Sequence, residues 1–165
     1  MAHARIIRYL VLIFLLASSA TVAIPQGIYN QKELSADLAL AMAQGALEKC
    51  RADGYRITIA IIDSNNILKT FVRDDGSNII SFDLSRRKAY TALAFRRSSG
   101  EQAKIWRSAT PPVIPPPETA AGGGGLPIKV GDEVIGAIGI SGAPNGDKDE
   151  ACASAGLAKV AERLK

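Results

Sequence analysis

Histidine is all but missing from this chain. The single one among 165 residues is His3, inside a stretch that reads as a removable leader, so the mature chain is expected to contain none. Without imidazole there is no Ser-His-Asp or Cys-His catalysis, no HExxH zinc site and no ordinary proximal-histidine haem. Chemistry is left to carboxylates, hydroxyls, Lys, Arg, Tyr, the thiols or a bound cofactor. A charge excess is lacking too. The formal net charge is +4, and losing Arg5 and Arg8 with the leader leaves 18 basic against 16 acidic residues, a net +2. With aromatics at 5%, that balance argues against a nucleic-acid partner. Nor is any apolar run long enough for a spanning helix, because the leader's reaches about half of the roughly 20 residues required.

What is present fits one exported domain. Arg5 and Arg8 supply a positive start, residues 9–17 an apolar stretch and residues 18–23 small residues suited to signal peptidase. Cleavage is expected after Ala23, with an uncleaved membrane anchor as the competing reading. The 142 residues that remain form one expected domain, 24–165, able to build a core without a metal or several disulfides. A composition 47% hydrophobic and 22% charged excludes disorder. The expected location is the periplasm or outside the cell. There Cys50 and Cys152 either bridge or lie as two small buried apolar side chains.

Along the chain, Ser35 caps an expected helix over residues 36–51, which Gly54 ends. Residues 56–63 (RITIAIID) and 67–73 (ILKTFVR) read as a hairpin turning at Ser64-Asn65-Asn66. Helices follow over about 81–97 and 100–106. Residues 110–125 (TPPVIPPPETAAGGGG) hold five of the eight prolines and four successive glycines; they read as a loop within the domain rather than a linker. Residues 126–130 and 133–141 form a second hairpin around Gly131-Asp132, and 147–164 a closing helix with an acidic start and a basic end. Hairpins without alternating crossovers imply an α+β fold, an antiparallel sheet covered by helices.

Several motifs resemble one family. Arg73-Asp74-Asp75-Gly76, Lys88-Ala89-Tyr90-Thr91-Ala92, Gly124-Gly125-Leu126-Pro127-Ile128, Gly136-Ala137-Ile138-Gly139-Ile140-Ser141-Gly142, and Asp149 with Ala153 and Gly156 are similar, in order, to the GlcG/HbpS family. That group of haem-binding, haem-degrading proteins also includes the PduO-type carboxy-terminal domain. The resemblance implies a profilin-like domain with about five antiparallel strands flanked by helices, homo-oligomers, and binding of haem or another tetrapyrrole. A fifth strand would have to use part of residues 110–117. The chain departs from the pattern in the Pro- and Gly-rich loop and at Asp74, where a hydrophobic residue is more usual.

The glycines of residues 136–142 read as architectural. Neither GxGxxG nor GxxxxGK[ST] is satisfied, and Ser141 lacks the nucleophile-elbow pattern, since Ala143 stands where its last glycine belongs. Spaced every third residue in a strand, they allow close approach on alternate sides. Chemistry is expected where the first hairpin exits and the second helix runs. Asp74, Asp75 and Lys88 are the candidate catalytic groups. Arg73, Arg86, Arg87, Lys88, Tyr90 and Thr91 are the candidate cofactor-binding groups. From Arg86 to Arg107 there are seven positive charges against Glu101 alone, a patch able to grip propionates or another small dianion by bidentate guanidinium contacts, or else a solvated helix face or subunit contact.

A haem iron would need an oxygen or sulfur donor, from Tyr90 first, then Tyr55, Met42, Thr91 or a free cysteine. Three readings follow. The foremost is an exported, homo-oligomeric haem- or tetrapyrrole-binding protein with a degrading or sensing role. The others are a cofactor-free enzyme acting on a small acidic metabolite, and a non-catalytic oligomeric partner of an envelope protein or oxidoreductase.

Overall fold

The computed structural model describes Gly27 and residues 29–165. The leader, its cleavage point after Ala23 and His3 lie outside the described residues. The chain divides into units Met1–Gln31 and Lys32–Lys165. The described residues of the first, Gly27 and residues 29–31, form no helix or strand, and the fold below is that of the second.

Helix α1 (Ala36–Ala52) starts where the Ser35 hydroxyl accepts the Leu38 N–H at 3.3 Å, and it stops before Gly54, whose φ of +82° suits a residue without Cβ. Strands β1 (Thr58–Asp63) and β2 (Leu68–Arg73) pair antiparallel. Their turn is held by Asp63, whose carboxylate accepts the Asn65 and Ile67 N–H groups, both at 2.9 Å. Helices α2 (Ile80–Phe95) and α3 (Ser99–Ser108) follow, then β3 (Gly125–Val130), β4 (Glu133–Ser141) and α4 (Gly146–Lys159). Asn145 caps α4 by accepting the Lys148 N–H at 3.0 Å.

The sheet runs β2-β1-β4-β3 and every pair is antiparallel. Four strands are found among the described residues where about five were expected. Residues 110–117 form none, because their five prolines have no N–H to give to a ladder. The α+β architecture stands.

Strand alternation divides the core. Ile59, Ile61, Ile138 and Ile140 point to one face, where they pack with Met42, Ala46 and Leu47 of α1 and Ala153 of α4. Ile62 and Ala137 point to the other, under Ala89 and Ala92 of α2. Covered on both sides, β1 is buried throughout. Cys50 of α1 and Cys152 of α4 form a disulfide with Cα atoms 5.6 Å apart, and no free cysteine remains; the bridged alternative is the one found.

α2 lies unusually close to the sheet. Ala60, Gly139 and Gly125 are in register across β1, β4 and β3, a row almost without side chains. A Cβ on Gly139 would come 2.0 Å from the Ser85 carbonyl oxygen, and one on Gly125 2.1 Å from that of Lys88. The Gly- and Pro-rich loop is bound to the same helix and to α3. The Ala120 N–H donates to the Thr91 hydroxyl at 2.9 Å, and the Ser99 hydroxyl donates to the Gly122 carbonyl at 2.6 Å.

Candidate functional site

The two carboxylates at the exit of β2 have unlike surroundings. Asp74 is buried, and Arg51 of α1 grips it with two nitrogens, Nη2 to Oδ1 at 2.6 Å and Nε to Oδ2 at 3.2 Å. The Arg51 guanidinium holds the Asp74 carboxyl below the usual carboxylate range. Asp75 is exposed, and its backbone N–H donates to Asp74 Oδ1 at 2.9 Å. Asp74 therefore ties α1 to the hairpin, which accounts for a charged residue at this position. Arg73 is exposed and bonds the Ser77 carbonyl.

Helical spacing sorts the candidates on α2. Ser81, Ser85, Lys88, Ala89 and Ala92 recur three and four apart and form its buried side. Lys88 and Thr91 go inward with it. Thr91 is fully buried, its hydroxyl donating to the Arg87 carbonyl at 2.8 Å and accepting from Ala120. Arg86 and Arg87 reach solvent and pair with Glu118 and Asp83, each at 2.5 Å. Tyr90 is half-buried against the smaller core cluster. The seven-charge run is accordingly divided: Arg86 and Arg87 lie on α2, Lys88 is buried, and Lys104 and Arg107 belong to α3.

The outward face of α2 joins these guanidinium groups to exposed apolar side chains. Ile79 is 83% exposed, Ile80 66% and Phe82 57%. Phe82 meets Phe71 of β2 edge-on, with ring centroids 4.9 Å apart. Arg73, two residues beyond Phe71, shares its side of the strand, and Arg86 follows Phe82 by four, one turn along the helix. β2 and α2 thus present an apolar patch rimmed by Arg73, Arg86 and Arg87.

Beneath the Gly-rich loop lies the buried ion pair of Lys88 and Asp149, 2.7 Å apart, 61 residues apart in sequence and both nearly inaccessible. Asp149 also accepts the Ala143 N–H at 2.9 Å. Burial lifts the Asp149 carboxyl above its ordinary range, against the opposing pull of Lys88. A side chain at Gly124 would strike both: its Cβ would lie 2.7 Å from Asp149 Cβ and 3.1 Å from Lys88 Nζ. Lys88 is thus a pin between α2 and α4, engaged with a different carboxylate from those at the hairpin exit, and the structure does not join it to Asp74 and Asp75 as one cluster.

The donors considered for an iron are also sorted. Met42 is fully buried in the larger core, both cysteines are bridged and the Thr91 hydroxyl is in use. Tyr90 and Tyr55 are half-buried. Among the described residues no group of three His, Cys, Asp or Glu side chains could hold a metal ion, and no helix is long and apolar enough to cross a membrane.

The fold and its motifs meet their counterparts in known proteins. The family model for haem degrading protein HbpS-like matches residues 34–158, and the chain belongs to that family. Protein GlcG of Escherichia coli K12 is 28% identical over 108 residues, 66% of this chain and 81% of GlcG. Among solved structures, a double mutant of Streptomyces reticuli HbpS superposes with a TM-score of 0.75 at 32% identity, covering 86% of this chain and 97% of the other. The PduOC:heme complex is similar in fold, with a TM-score of 0.71 at 20% identity over 78% of this chain and 95% of its own.

Proposed function

We propose that this is an exported, homo-oligomeric protein that binds haem or a related tetrapyrrole on the outer surface of α2 and β2. The observation that carries this reading is the junction of apolar and cationic groups there. A porphyrin is a flat apolar plate with two carboxylates at one edge, so it needs an apolar bed beside guanidinium groups. Ile79, Phe82 and Phe71 offer the bed, and Arg73, Arg86 and Arg87 the cations. The present partners of Arg86 and Arg87 are exposed ion pairs, worth roughly 0–1 kcal/mol each, and bidentate propionate contacts can replace them. Tyr90, one turn beyond Arg86 and Arg87, is the tyrosine nearest in sequence to this surface. A bound iron porphyrin would supply redox chemistry with oxygen or peroxide, the basis of a degrading or sensing role.

The relatives add support, since one structure of this fold is a haem complex and the family's own description is haem degradation. Export is supported by the bridged cysteines, which persist in oxidising compartments, and fits a periplasmic or secreted location. Self-association is supported by Val113 and Ile114 on the Pro-rich loop, Ile114 being 88% exposed.

The test is a hemin titration of the purified protein with its mass measured in solution. A saturable Soret band is expected, with affinity falling at least about tenfold, or about 1.4 kcal/mol, when Arg86 and Arg87 are both replaced by alanine. A linear, unsaturable absorbance change would overturn the reading. The metabolite-enzyme alternative has no assembled acid-base group to rest on, since Asp74 and Lys88 are each engaged with a separate partner.

A further inference from the structure

A concavity that shares no residue with the α2 patch lies where α3, the Gly-rich loop and the start of α4 converge. Its volume is about 320 Å³. Its floor is nearly bare backbone. A Cβ on Gly123 would come 2.9 Å from the Gly146 carbonyl oxygen, one on Gly146 2.7 Å from the Gly123 nitrogen, and one on Gly100 3.2 Å from the Gly123 Cα. The three segments can close together only because all three positions lack side chains, and the space above them stays open.

The walls carry charge of both signs. Lys104 and Arg107, three apart on α3, line one side together with Glu101, while Asp147 and Glu150, three apart on α4, line the other. The Glu150 carboxylate hangs over the floor, with Oε2 placed 3.1 Å from a Cβ built on Gly100 and 3.3 Å from one on Gly123. Elsewhere several exposed charges are paired, as at Lys159 with Glu48 and Lys69 with Glu33. Here none of the five side chains forms an ion pair among the described residues, although cations and carboxylates share one opening. Arg107 makes a single long bond, 3.3 Å, to the Ala121 carbonyl.

We propose that this cleft is a separate binding site for a small dipolar molecule bearing an anionic group at one end and an ammonium at the other. The anionic end meets Lys104 and Arg107, and the ammonium meets Asp147 and Glu150. A dianion would face the carboxylates of α4 and a dication the cations of α3, each at a cost in like-charge repulsion that a ligand with both signs avoids. The polar, glycine-floored lining gives a porphyrin no apolar bed, so this site is independent of the haem reading.

Three six-carbon probes of equal length test it: ε-aminocaproate, adipate and hexamethylenediamine, titrated into the full protein and followed by amide NMR. Saturable shifts at Gly100, Gly123 and Gly146 are expected for ε-aminocaproate, with at least about tenfold weaker binding of the other two. Replacing both Lys104 and Arg107 by glutamate should abolish that preference and favour the diamine, and Glu150→Gln should weaken ε-aminocaproate binding without altering the hemin Soret titration. These are surface changes, so amide dispersion elsewhere should stay that of the native fold. Absence of saturable shifts for ε-aminocaproate, equal affinity for all three probes, or unchanged affinity after charge reversal would each overturn the proposal.

Discussion

Two buried carboxylates illustrate how a side chain's role follows from its partner. Asp74 is held in its ionised form by Arg51, so its folded-state pKa lies below the ordinary 3.8. Folding then gains from this group at pH values above the ordinary pKa, and the gain is lost as pH falls through the folded one. Asp74→Asn should therefore be less stable than the parent protein near neutrality, with the gap closing below about pH 4, as urea midpoints across a pH series would reveal. Lys88 and Asp149 pose a harsher case, because removing one leaves the other charged in the interior. Lys88→Met should cost roughly 3–5 kcal/mol, whereas the double change Lys88→Met with Asp149→Leu should recover much of it. Chemical denaturation of the two variants separates a pin from a replaceable hydrophobic contact. Loss of hemin binding in the single variant without loss of stability would instead point to Lys88 as a ligand contact.

At the scale of elements, the fit of α2 to the sheet depends on the bare row of Ala60, Gly139 and Gly125. Gly139→Ala would drive a methyl group against the backbone of α2, which cannot move aside as a side chain can. A loss of about 1–3 kcal/mol is expected, and a thermal melt would detect it. The helices and hairpins were legible in the sequence because capping residues, turn residues and alternation are local signals: Ser35, Ser64-Asn65-Asn66 and Gly131-Asp132 all fall where elements begin or turn. The glycines of β4 were also readable as points of close approach on alternate sides. The site was less so. Arg51 lies 23 residues from Asp74 and Lys88 lies 61 from Asp149, and no local pattern announces either pairing. One signal was available for Lys88, its position on the same helical side as Ser81, Ser85, Ala89 and Ala92. The α3 and α4 cleft was beyond reach, since it exists only when three segments distant in sequence meet through Gly100, Gly123 and Gly146. The family's five-strand pattern misled at residues 110–117, where proline chemistry overrides it.

At the scale of the whole domain, the Cys50–Cys152 bridge joins helices 102 residues apart in the chain. A closed loop of that length restricts the unfolded ensemble by about 4–5 kcal/mol in the chain-entropy account. Replacing both cysteines by alanine should lower stability by an amount of that order, read from the denaturation midpoint. The bridge also encloses the exposed Pro-rich segment within a covalent ring that contains the whole sheet and α2 and α3. A protease that nicks the segment at Val113 or Ile114 would therefore release nothing. The two pieces would migrate as one species in a denaturing gel until a thiol reductant parts them, so a nicked population would go unseen by any assay of intact size run under oxidising conditions.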